Sequence, residues 1–102
     1  MEEVKIVGIA DGKLKIALSG DIDLGNAEDF FATVMSAYQS TPSDIEFDCS
    51  GLDFIDSTTL GTFVKILKAL KTDGRNMRLI SLQAKIKKLF LICSLDRIME
   101  IA

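Results

Sequence analysis

Apolar and polar positions along the chain alternate in two periods, and the period changes several times. Val4, Ile6, Val7 and Ile9 are β-branched and predict a first strand. Asp11-Gly12 is a hairpin turn signal. Leu14, Ile16 and Leu18 then alternate with Lys13, Lys15 and Ala17, the pattern of a half-buried second strand. From Phe30 the spacing changes. Phe30, Phe31, Val34, Met35 and Tyr38 recur at three and four residues, so a helix begins near Asp23 or Gly25-Asn26 and runs to about Tyr38. Glu28 and Asp29 in its first turn suit the helix dipole.

Asp44–Cys49 predicts a third strand with Ile45 and Phe47 on one face, and Ser50-Gly51 predicts a turn after it. Leu52, Phe54 and Ile55 are expected to pack beneath the next loop. Asp56 or Ser57 is the natural N-cap of a second helix, whose buried stripe is Leu60, Phe63, Val64, Leu67 and Leu70. Gly61 interrupts that stripe where Ala would be more stable by about 1 kcal/mol, which suggests close backbone contact with the sheet or with a partner. Asp73-Gly74 ends the helix. Residues 76–82 read as a strand, residues 83–93 as a third helix with Ile86, Leu89, Phe90 and Cys93 inward, and residues 95–101 as a closing strand. The order β-β-α-β-α-β-α-β implies an α/β fold: an N-terminal antiparallel hairpin joined to a mainly parallel sheet with about three helices, a mixed sheet in one domain spanning residues 1–102.

Composition narrows the chemistry. The chain has no His, which removes the commonest general base and excludes a Ser-His-Asp hydrolase. No phosphate-cradling GxxxxGK[ST] loop is present, and no cofactor is expected. Asp21, Asp23 and Asp56 are the only acids placed to suggest Mg²⁺, and three acids near strand ends are common. Cys49 and Cys93 are isolated thiols in apolar neighbourhoods and read as reduced core cysteines. No apolar run is long enough to span a membrane, and the acidic start is unlike a secretory signal, so a cytoplasmic protein without membrane insertion is expected.

Residues 1–56 carry twelve acids and three bases, whereas residues 57–102 carry nine bases and three acids. With three Arg, one Tyr and no Trp the chain lacks the basic, aromatic-rich surface of a nucleic-acid binder. The acidic first half suits a basic protein partner, and a free edge strand would allow a weak homodimer.

Three segments resemble the STAS domain family, in particular its stand-alone bacterial anti-sigma factor antagonists. Gly20-Asp21-Ile22-Asp23 leading to Asn26-Ala27 is similar to that family's approach to its first helix. Phe54-Ile55-Asp56-Ser57-Thr58-Thr59-Leu60-Gly61 is similar to its central Asp-Ser-Ser/Thr-Gly-Leu-Gly loop and helix start. Lys88-Leu89-Phe90, Ser94-Leu95 and Ile98 are similar to its last helix and strand. The resemblance implies a protein switch. A cognate anti-sigma factor, itself an ATP-dependent Ser/Thr kinase, phosphorylates the serine after the motif Asp; the unphosphorylated antagonist binds that kinase and releases the sigma factor; a Ser/Thr phosphatase resets it.

By position Ser57 is the phospho-acceptor, and Asp23, Asp56, Ser57, Thr58, Thr59 and Gly61 form the partner-binding surface. Taken as residues alone, Asp56, Ser57, Thr58 and Thr59 read as helix-capping groups, and Asp23 as either a helix cap or a partner contact. Thr59 stands where the family usually has Gly, placing a branched side chain near the acceptor, and Cys93-Ser94 replaces Ser-Gly. Two other roles share the fold: a docking subunit of a lipid ABC transporter or stress complex, and a small nucleotide-binding sensor.

Overall fold

The computed structural model describes residues 1–102. Its strands are β1 (Val4–Ala10), β2 (Lys13–Ile22), β3 (Asp44–Ile55), β4 (Met77–Ile80) and β5 (Glu100–Ile101); its helices are α1 (Ala27–Ser40), α2 (Ser57–Thr72) and α3 (Ala84–Ile92). The sheet runs in sequence order, β1-β2-β3-β4-β5. β1 and β2 pair antiparallel and all later pairs are parallel. This is the mixed architecture that the changing periodicity implies.

Alternation decides which face is covered. Leu14, Ile16 and Leu18 of β2, Ile45, Phe47 and Cys49 of β3, and Met77 and Leu79 of β4 are all buried. The helices lie over this face. Phe63 of α2 is the hub, with its ring centroid 5.2 Å from Phe30 (α1), 5.5 Å from Phe47 (β3) and 5.4 Å from Phe90 (α3), each edge-to-face. Residues between the buried ones point to the opposite, open face. There Glu46 accepts a 2.8 Å hydrogen bond from Lys15, with Arg78 3.8 Å away, and the Lys15 bond holds the Glu46 carboxyl below its usual range. On the helical side the Tyr38 hydroxyl donates to Asp73 Oδ2 at 2.6 Å, tying α1 to the end of α2. Gly74, at φ 73°, terminates α2 as expected, with Arg75 N–H donating to Leu70 O.

Several elements differ from the sequence-based expectation. Ser50-Gly51 is no turn: β3 continues to Ile55. Two register shifts in its pairing with β2 let the two strands stay together. A Cβ on Gly51 would lie 3.1 Å from Leu18 O, so the glycine answers to close approach of β2 rather than to a turn. The chain's end is a 3₁₀ turn at Leu95–Arg97 followed by the two-residue β5, not a strand from Leu95. Ser94 enters that turn at φ 57°, the left-handed region where the family pattern has Gly. Cys93 caps α3 and is exposed, so only Cys49 is a core cysteine; burial pushes the Cys49 thiol up to about 12. β1 contributes little to the core: Val4 is buried, but Ile6, Val7 and Ile9 are exposed.

Candidate functional site

The parallel strands β2 and β3 end side by side, and the loops after them meet. Asp21 pairs with Phe54, and Ile22 with Ile55. From these ends the chain enters α1 through Asp23–Asn26 and α2 through Asp56. The C-terminal edge of a parallel sheet gathers helix N-termini in this way.

Asp56 is the brace between the two loops. In extended conformation as N-cap of α2, it accepts from Thr59 N–H at 3.0 Å through Oδ1 and from Leu24 N–H at 2.9 Å through Oδ2. The Thr59 backbone donor, followed by the Leu24 donor, holds the Asp56 carboxyl below the usual carboxylate range, so it is ionised at neutral pH. The first loop has its own latch. Asp23 Oδ1 accepts from Gly25 N–H at 2.9 Å; Asn26 Oδ1 accepts from Asp23 N–H at 2.8 Å, while Asn26 Nδ2 donates to the Asp21 carbonyl at 2.9 Å. The Asp23 and Asp56 carboxylates are therefore spent on backbone donors, and with Asp21 they do not converge into a cluster able to hold a metal ion.

Ser57 is the first residue of α2 and is exposed, as is Thr58. Thr59 is different. It is fully buried, and its hydroxyl is shared between the Ile22 carbonyl and Asp56 Oδ1. The residue expected on the partner-binding surface, crowding the acceptor, instead lies beneath that surface and fastens the first turn of α2 to the end of β2. The hydroxyl can do so because residue 59, two positions on in the helix, turns toward the sheet when residue 57 faces solvent.

Gly61 is exposed, and a Cβ added there meets nothing within 4 Å. The sheet-contact reading of this glycine fails, which leaves the open side of the helix. Gly61→Ala is accordingly expected to stabilise the domain by about 0.5–1 kcal/mol in a urea titration, since the helix gains Ala propensity without a clash. Destabilisation would mean that the glycine is needed by the fold after all.

Two residues of this surface are absent from the expected partner-binding set. Leu24 is 75 % exposed and Phe54 is 50 % exposed. Phe54 was expected beneath the loop, but β3 continues through it and leaves it on the outside. Leu24 is tied to Asp56 through its own N–H, and Phe54 lies two residues before Asp56, so an apolar pair flanks the hydroxyls. An apolar residue set between Asp23 and Gly25 was the available signal for Leu24. Ser57 lines none of the surface cavities; the nearest hollow along the chain is bounded by Asp53, Phe54 and Ile55 against α3.

A family model described as the STAS domain matches residues 4–102. The chain belongs to the STAS domain family. Among its relatives, an anti-sigma-B factor antagonist from Staphylococcus epidermidis is 25 % identical over 91 residues, covering 89 % of this chain and 84 % of that one. A Thermotoga maritima protein described as a candidate anti-sigma factor antagonist superposes with TM-score 0.79 at 28 % identity, over 96 % of this chain and 82 % of that one. The Bacillus cell fate determinant SpoIIAA, in its phosphorylated form, shares the fold with TM-score 0.73 at 22 % identity, over 97 % of this chain and 90 % of that one. The STAS architecture thus accounts for the whole sheet and all three helices. No helix of this STAS domain is long and apolar enough to cross a membrane.

Proposed function

We propose that the chain is a non-enzymatic anti-sigma factor antagonist, phosphorylated on Ser57 by a kinase-type anti-sigma factor that it binds when unphosphorylated. The observation that carries this reading is the placement of Ser57: an exposed hydroxyl at the N-terminus of α2, next to an ionised carboxylate that is itself fully occupied in bracing the loop. Asp56 serves the site by position. It holds Leu24 and the α2 terminus in one rigid surface, so the partner meets a preformed patch of Leu24, Phe54, Ser57, Thr58 and the bare backbone at Gly61. Asp23 shapes the neighbouring loop. Thr59 acts from below.

A phosphate on Ser57 would find the positive end of the helix dipole, so the free protein accommodates it. The same group brings roughly −1.5 to −2 charges and three acceptor oxygens beside Asp56. A partner packed flat on the patch would then bury two adjacent anions. The switch works by excluding the partner, with little change in fold. That a neighbour of the same fold, SpoIIAA, exists in a phosphorylated form supports the reading. A Ser/Thr phosphatase would restore the hydroxyl.

The test is affinity capture from source-cell lysate with wild type and Ser57→Ala, read by mass spectrometry with phosphosite mapping on the wild type. An ATP-binding kinase-type partner with phosphate on Ser57 is the expected result. Capture of a permease and ATPase, or of a large stress assembly, with Ser57 unmodified would replace the switch with a static docking subunit.

A further inference from the structure

β1 forms one edge of the sheet and pairs on one side alone, with β2. Its outward N–H and C=O groups therefore form an open template for another strand. Ile6, Val7 and Ile9 are 40, 61 and 52 % exposed along it, and Lys5 is its single charge. The pairing with β2 assigns the faces. Val4, Ile6 and Ile9 oppose the buried Leu18, Ile16 and Leu14 and so lie on the helical side, while Lys5, Gly8 and Ala10 oppose Ala17, Lys15 and Lys13 on the open side. Val7 is the extra residue of a bulge and sits on the open side, over Lys15, Ala17 and Glu46.

On the helical side a groove of about 490 Å³ runs between the edge and α1, lined by Ile6, Ala32, Thr33, Ser36, Ala37 and Ser40. Every residue from 30 to 43 is uncharged, in a chain that is 26 % charged. Unpaired backbone, protruding isoleucines and an uncharged trough of small side chains thus lie together.

We propose that this edge binds a second copy of the chain, β1 against β1 antiparallel, with Ile6 opposite Ile9 of the second copy. The register follows from the faces. A two-fold antiparallel pair keeps both helical layers on one side only if opposed residues share a face. With Ile6 opposite Ile9, Lys5 opposes Ala10 and Val7 opposes Gly8, and every pair matches. A slip of one or two residues in either direction sets helical-side residues against open-side ones at the centre of the pair.

Side-chain volume and charge agree with this register. The bulky Val7 meets a glycine, where even an added Cβ would touch nothing within 4 Å. Lys5 falls next to Asp11 of the second copy at the hairpin tip, and the two-fold repeats that opposite-charge pair at the other end. Glu2 and Glu3 approach the same tip, where Lys13 follows Asp11 by two residues. The isoleucines of each copy cover the groove of the other. Because the two-fold reverses strand direction, the two Ser57 ends lie at opposite ends of the doubled sheet, so the dimer is bivalent and leaves both partner surfaces free.

Sedimentation velocity on the untagged chain, from about 10 µM to about 1 mM, tests this. The expected result is a rise from the mass of one chain toward that of two. Ile6→Lys and Ile9→Lys, both at exposed positions, should keep the wild-type Tm and stay monomeric throughout. For the register, Ile6→Cys and Ile9→Cys are mixed in a Cys93→Ser background under oxidising conditions and should join to each other in preference to themselves, since opposed residues lie within disulfide reach. Wild type that remains monomeric at the highest concentration would overturn the proposal and leave the bulge as a device that merely blunts the edge. Dimers that persist in either Lys variant, or random disulfide pairing, would overturn it equally.

Discussion

Ser57→Asp is expected to weaken binding of the proposed kinase-type partner by about 100-fold, equivalent to about 2.7 kcal/mol, while Ser57→Ala is expected to bind within about threefold of wild type. The asymmetry comes from where the new charge sits. Ser57 is exposed in the free protein, and a carboxylate there is solvated and favoured by the α2 dipole. Binding strips that solvent away. The added carboxylate then stands beside Asp56, whose own charge is held in place by the Thr59 and Leu24 amides and cannot be relieved by protonation near neutral pH. Removing the hydroxyl adds no charge and leaves the brace untouched. Calorimetric titration of the three proteins against the partner measures this. Equal affinities for Ser57→Asp and wild type would show that the partner docks elsewhere.

Phe63→Ala has the largest expected effect on stability, about 3–5 kcal/mol. Phe63 is fully buried and touches an aromatic ring from each of α1, β3 and α3. Truncation leaves a cavity where three layers of contacts meet, and edge-to-face pairing is lost with it. Domains of this size hold about 5–15 kcal/mol in total, so the urea midpoint should fall by about a fifth or more. Phe63 also lies in the turn of α2 that follows Ser57, so loosening it frees the terminus that presents the Ser57 hydroxyl. A loss below about 1 kcal/mol would mean that the helices are not held through this ring.

Much of this arrangement was legible because it is periodic. The alternation of Leu14, Ile16 and Leu18, and the spacing of Phe30, Val34 and Tyr38, each fix one buried face, and the structure buries those faces. Asp56 as N-cap and Gly74 as terminator follow from local backbone needs. What escaped is non-local. Gly51 looks like a turn in sequence, yet its absent Cβ makes room for the Leu18 carbonyl on the neighbouring strand. Asp56 reaches Leu24 across 32 residues of sequence, and Thr59 reaches the Ile22 carbonyl across 37. No periodicity encodes such pairs. Phe54 is apolar and is expected inside, and Leu24 belongs to no periodic stripe; their exposure appears only once β3 is known to continue to Ile55. The closing residues misled because Ile98 and Ile101 are apolar and follow the third helix where a strand is due, although Ser94 turns the chain into a 3₁₀ segment first.

On the proposed reading, phosphate on Ser57 changes the surface and not the fold. Two-dimensional amide NMR of the isotopically labelled chain, before and after stoichiometric phosphorylation by the proposed kinase, tests this. Shifts confined to the two loops and the start of α2, residues 21–27 and 53–62, with the amides around Phe47 and Leu67 unmoved, are the expected result. Loss of the helical signals across residues 57–72 would contradict it and make the switch an unfolding event.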